Sequence, residues 1–158
     1  MPTTIVLLAD RPDLAPALAV GYEAEWPGWY GPGGQGEGTA LADLAGRAQA
    51  GRLPLGLAAV LDGEAVGVLA LTETSGPGRA EWGPWLGGFW VRADLRGQGI
   101  GAALIRAAVP QAARLGFPTL FAATASAVSL FKREGWTLLQ TVDHEGKATA
   151  ILGCPTQP

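Results

Sequence analysis

The sequence predicts a mixed α/β layer fold, and three observations carry that prediction. Apolar runs of strand length alternate with helical patterns in the order β-α-α-β-β-β-α-β-α-β-β. Asp62-Gly63 stands between two apolar runs within 53–74, the strongest short-range hairpin signal in the chain. The 158 residues, 48% apolar and 16% charged, fit a single domain spanning 1–158 around one substantial core.

TTIVLLA (3–9) is a β-branched and aliphatic run that reads as the first strand. In the helix that follows, Asp10 or Asp13 can cap the start and Pro12 suits it. Leu14, Leu18, Tyr22 and Trp26 recur every four residues along one face. Pro27 breaks that helix, and WPGWYGPGGQGEG (26–38) reads as a loop unusually rich in aromatic residues. A second helix over 39–51 is expected to close at Gly51. After the hairpin, 75–84 reads as a flexible connection. WLGGFWV (85–91) is a strand weakened in its middle by Gly87 and Gly88, where a bulge or a close backbone neighbour is expected. From Ile100 onward, Ala103, Leu104, Ala107, Ala108, Ala112 and Leu115 continue one helical face, which Pro110 is expected to kink or interrupt. PTLFAAT (118–124) is a strand, 125–135 a short helix closed by Gly135, and 136–153 a hairpin turning near Glu145-Gly146.

Several function classes are disfavoured. A net charge of −3 argues against the broad basic surface of a nucleic-acid binder. No apolar stretch is long enough to span a bilayer. The N-terminal stretch lacks the basic lead and long apolar run of a signal peptide, so a cytoplasmic protein is expected. One cysteine, Cys154, excludes an internal disulfide and a multi-cysteine zinc site, and no metal is expected.

The informative stretch is RGQGIG (96–101), after a strand and before a helix. Unpaired amides at a helix start and the helix dipole favour an anion, and glycine lets a phosphate approach the backbone. Arg92 and Arg96 add positive charge nearby. The string GQGIGA also meets a dinucleotide pattern, but that reading needs an acidic residue about 20 positions on. Residues 117–122 read FPTLFA, with no acid between Asp94 and Glu134, and the nicotinamide reading fails.

The same stretch resembles the acyl-CoA loop of the GNAT superfamily of N-acetyltransferases, through Arg96, Gly99 and Gly101. FWVRADL before it and AVSLFKREGW (127–136) after it are similar to that family's core strand and second conserved segment. The resemblance implies a mostly antiparallel central sheet flanked by helices, splayed between the fourth and fifth strands. It implies acetyl-CoA as co-substrate, with its pyrophosphate on Arg96, Gly97, Gln98, Gly99, Ile100, Gly101 and Ala102. The pantetheine arm would pair along Phe89, Trp90 and Val91 and pack beside Thr124, Leu130 and Phe131.

The expected chemistry is direct attack of a primary amine on the thioester in a ternary complex. Where the family usually has a tyrosine acid, this chain has Phe131, which has no proton to give. Thr124, Ser129, Tyr30 or a water are left as donors, and a thiol pKa of about 8.5 makes the acid helpful rather than indispensable. Glu25, at the end of the first helix, is a candidate base or acceptor contact; its bland reading is a solvated helix-end acid. Glu81 and His144 carry the same two readings, as loop or turn residues. Trp26, Trp29, Tyr30, Trp85 and His144 are candidate acceptor contacts, against core packing for the aromatic ones. GYEAEWP and PWLGGFWV resemble a branch of the superfamily that includes enzymes acetylating protein N-termini. The acceptor is therefore a small-molecule or peptide amine, and a homodimer is in keeping with the family. The rival reading is a CoA-binding regulatory or sensor domain with little turnover, which Phe131 keeps open.

Overall fold

A computed structural model of the protein describes residues 2–157 apart from 31–33, 35, 37, 74–80 and 145. Among the described residues, seven strands form one sheet in the order β1-β2-β3-β4-β5-β7-β6. The strands are β1 (Thr4–Leu7), β2 (Leu55–Leu61), β3 (Glu64–Thr72), β4 (Trp85–Val91), β5 (Thr119–Thr124), β6 (Thr137–His144) and β7 (Lys147–Pro155). The helices are α1 (Ala15–Glu25), α2 (Pro27–Tyr30), α3 (Ala40–Gly46), α4 (Ile100–Arg114) and α5 (Val128–Arg133). Neighbouring strands are antiparallel except β4 and β5. This is the GNAT-type sheet that the sequence predicted.

Strand alternation sorts the side chains into two layers. Leu86, Leu120, Ala122 and Leu152 face the amphipathic α4, with Leu104, Ile105 and Phe131, in the larger core. On the opposite face Val68 and Trp90 pack against Leu18 and Tyr22 of α1 and Leu44 of α3. Farther along that face Trp85, Phe121 and Ile151 form a smaller aromatic cluster. The Asp62-Gly63 hairpin is as expected: both residues take positive φ (52° and 79°) between the paired Leu61 and Glu64.

Four elements differ from the pattern reading. Residues 27–30 form a single helical turn within the expected loop. The second helix stops at Gly46 instead of reaching Gly51, because the Arg47 carbonyl accepts from the Gly56 amide (2.8 Å) and is drawn toward β2. α5 begins at Val128 because the Thr124 hydroxyl oxygen takes the Ala127 amide (2.9 Å) in a preceding turn. α4 runs unbroken through Pro110, which lies with Arg106 on the exposed side, where the Arg106 carbonyl that loses its partner is not buried in the core. Most of the connection expected over 75–84, and Glu145 of the last turn, lie outside the described residues.

Candidate active site

The junction from β4 to α4 builds an anion cradle from backbone alone. After a short turn at Ala93–Leu95, Arg96 is extended, and Gly97 and Gly99 take φ of +81° and +87°. A Cβ on either glycine would meet no atom within 4 Å, so neither is needed for packing. They supply left-handed backbone and leave open approach. Gly99 caps α4 without a side-chain bond, and the first helical bond runs from the Ala103 amide to the Gly99 carbonyl (3.1 Å). The amides before Ala103 lack an intrahelical acceptor, and the helix dipole adds to their pull on an anion. Such a cradle fits a pyrophosphate. Gly101 does something different: a Cβ there would come within 3.1 Å of Phe89 Cζ, so its absence lets that ring lie against α4.

The cradle opens into a cleft of about 630 Å³. Every residue expected to hold the cofactor lines it except Gln98, Thr124 and Phe131. Two arginines contribute positive charge. Arg96 donates from Nε to the Val91 carbonyl (2.8 Å) and from its terminal nitrogen to the Glu25 carboxylate. Arg133, which pattern reading did not single out, lines the cleft from the end of α5. Arg92 is committed elsewhere, to Asp94 (2.7 Å) and Glu64 (3.0 Å), and does not line the cleft.

The cleft runs along the Phe89–Val91 end of β4, where β4 and β5 have parted. They pair only at Trp85–Phe121 and Leu86–Ala122. Beyond that point β4 carries a bulge against β3, with two residues between Gly87 and Trp90 opposite one between Ala70 and Val68. Gly88, at φ +55°, turns its carbonyl to the Tyr22 hydroxyl, which donates to it at 2.5 Å. A Cβ on Gly88 would lie 2.6 Å from that hydroxyl and 2.7 Å from an Arg47 nitrogen. Of the two alternatives expected at the glycine pair, the bulge is present, and the close neighbours of Gly88 are side chains and not backbone. Burial pushes the Tyr22 phenol up to about 12, keeping it a donor.

On the face away from α4, two aromatic walls flank the glycine pair. On one side Tyr22 stacks on Tyr30 (centroids 6.2 Å apart) and meets Trp26 edge-on (5.0 Å). On the other side Trp82 stacks on Phe121 (5.3 Å) beside Trp85 (5.6 Å from Phe121). Tyr30 donates to Asp43 at 2.6 Å, and burial with that acceptor raises its phenol pKa; it does not line the cleft. Trp29 is half-exposed on α2, and His144 is exposed at the end of β6, next to the hairpin turn. Glu81 is exposed just before β4.

A family model described as the acetyltransferase (GNAT) family matches residues 18–136, more than half of the chain. The chain belongs to the GNAT acetyltransferase family. Solved structures are similar at the level of fold. The Salmonella typhimurium protein yncA, with its cofactor acetyl-CoA, has a TM-score of 0.76 at 17% identity, covering 98% of this chain and 94% of that one. The aminoglycoside 6'-N-acetyltransferase of Enterococcus faecium gives 0.74 at 16% identity, over 100% and 98%. Ard1 of Thermoplasma volcanium gives 0.69 at 12%, over 98% of each. No curated protein matches the chain.

Two GNAT positions gain meaning from the structure. Phe131, at the usual tyrosine position, is 2% exposed and lies edge-on to Trp136 (4.9 Å) and Phe89 (6.3 Å), forming the cleft's back wall through Phe89. Thr124 uses its hydroxyl oxygen to accept the Ser126 and Ala127 amides, shaping the turn before α5. Pattern reading also missed Tyr22, placed there only as part of an apolar stripe. A tyrosine within such a stripe signals a buried hydroxyl that needs an acceptor, here the bulged carbonyl of Gly88. Among the described residues no group of metal-ligating side chains assembles, and no helix is long and apolar enough to cross a membrane.

Proposed function

We propose that this chain is one catalytic domain over 1–158, an acetyl-CoA-dependent N-acetyltransferase acting directly on a primary amine. The observation that carries this reading is the cleft that joins the glycine cradle to Phe89–Val91 of β4, the stretch beyond Leu86 that has no strand partner on the β5 side. Acetyl-CoA, when bound, supplies the activated acyl carbon; the residues have to hold it, admit the amine and manage one proton. The amides after Gly97, with Arg96 and Arg133, hold the pyrophosphate. Phe89, Trp90, Val91 and Leu130 line the pantetheine path, where β4 beyond Leu86 has no strand partner on the β5 side. Its free backbone groups can pair with the arm and offer an amide to the developing oxyanion.

Of the two carboxylates lining the cleft, Glu134 is paired with Arg106 (2.6 Å), and we assign Glu25 to the amine's proton. Its ion pair with Arg96 must open for this, and a pyrophosphate drawing on Arg96 provides the occasion. Tyr30, named beside Glu25 as a catalytic candidate, has its proton directed to Asp43, and we assign it to the acceptor wall with Trp26 and Trp85. The departing thiolate then takes its proton from water. The reading includes a cytoplasmic setting and a small-molecule or peptide amine as acceptor, with homodimerisation as in relatives of the family. Thiol release from acetyl-CoA, followed with a panel of amines, tests it. Turnover is expected with at least one amine, falling about 100-fold in Glu25→Gln. Thiol release at the same rate with and without every amine would contradict it.

A further inference from the structure

Arg47 is the cation that reaches the gap from the acceptor face. Its backbone is fixed on both sides, since its amide closes α3 on the Leu44 carbonyl and its carbonyl takes the Gly56 amide. Its guanidinium lies over the Tyr22 ring (5.8 Å to the centroid) and donates one hydrogen bond, to the Tyr22 hydroxyl at 3.1 Å. Through Tyr22 and Gly88 it is held against the bulge of β4.

Among the described residues, no carboxylate comes within ion-pair distance of Arg47. Asp43, one turn earlier on α3, is engaged by the Tyr30 hydroxyl. Arg47 is half-buried, and its free donors face a hollow of about 560 Å³ between α3 and the paired ends of β2 and β3. A partly desolvated guanidinium with unused donors, open to a cavity, is suited to a planar anion that it can grip with two parallel bonds. Asp43 and Glu73 also line the hollow, so an anion there must sit on Arg47 and away from them, and they suit donor groups of the same ligand.

We infer that Arg47 is the acceptor-recognition residue, and that the acceptor is an amine bearing a carboxylate close to it, of the amino-acid class. This rests on the N-acetyltransferase reading above. A carboxylate on Arg47 lies next to Gly88, and an amine a few bonds away reaches the gap between β4 and β5. A polycationic amine would instead bring like charge against the guanidinium.

Two conjugates test the inference by binding alone. In one, CoA is joined through its sulfur to the N-acetyl carbon of phenylalanine, chosen for the aromatic walls. In the other, phenethylamine replaces phenylalanine, so only the carboxylate is missing. The phenylalanine conjugate is expected to bind about 10- to 100-fold more tightly. Arg47→Gln should erase that difference without changing the affinity for CoA, and Arg47→Lys, which keeps charge but not the fork, should restore part of it. Equal affinities in the wild-type protein would overturn the assignment. So would an Arg47→Gln variant that weakens both conjugates alike, since that marks a packing role through Tyr22. CoA itself is the control: if it fails to bind the wild-type protein, the acyltransferase reading falls, and this inference with it.

Discussion

The two halves of the site are built in opposite ways. On the proposed reading the cofactor half rests mainly on one stretch of chain, from Phe89 to Ala102, through open amides, left-handed glycines and an unpaired strand edge, with Leu130 and Arg133 added from α5. The proposed acceptor half would be made of side chains from α1, α2, α3, β4 and β5, joined by contacts such as Tyr22 to Gly88, 66 residues apart. A backbone site survives large changes of side chain around it, which suits a co-substrate shared by a whole family. A side-chain site changes with each substitution, which suits an acceptor that differs between members. The fold relatives, a 6'-N-acetyltransferase of aminoglycosides and Ard1 among them, carry different names on one scaffold.

If the halves are separable, substitutions should damage one and spare the other. The largest effect is expected from Gly99→Glu, which puts a side chain and a like charge into the pyrophosphate cradle. CoA affinity measured by calorimetry should fall more than about 100-fold. Gly88→Val should do the reverse. Its branched side chain meets the Tyr22 hydroxyl and Arg47 at a positive φ, costing on the order of 3 kcal/mol of stability by denaturant melts. Turnover should be lost with it, while CoA binding to the folded protein remains.

Alkaline pH should act on the acceptor half. Tyr22 titrates near 10 when unfolded and near 12 when folded, so its contribution is complete below pH 10 and lost as pH rises toward 12. The full loss amounts to roughly 2–3 kcal/mol above pH 12, with about half of it reached by pH 11, and urea melts at pH 8, 10 and 11 should show that part in the wild-type protein and less of it in Tyr22→Phe. The smallest effect tests the thiolate. Phe131→Tyr restores the usual hydroxyl beside Phe89 and should raise turnover about tenfold. An unchanged rate would mean that proton donation does not limit the reaction.

The contrast also explains what was legible in the sequence. RGQGIG, the Asp62-Gly63 turn and the Gly87-Gly88 interruption are local signals, and each marks a feature found in the fold: the cradle, the hairpin and the bulge. The roles of Tyr22 and Arg47 were not legible, because nothing near either residue shows that a carbonyl 66 positions away from Tyr22 turns toward it. Helix ends were misplaced where a distant partner took over a terminal group, as Gly56 does for the Arg47 carbonyl. Gly101 fitted the phosphate motif for a second reason, the ring of Phe89, which only packing reveals.

The most direct test of the central claim is calorimetric titration of ligand-stripped protein with acetyl-CoA, CoA and NAD. The account predicts micromolar binding of acetyl-CoA and CoA at one site per chain, none of NAD, and loss of the CoA signal in Gly99→Glu. Absence of acetyl-CoA binding, or retention of CoA affinity in Gly99→Glu, would contradict the assignment of the cradle and the function built on it.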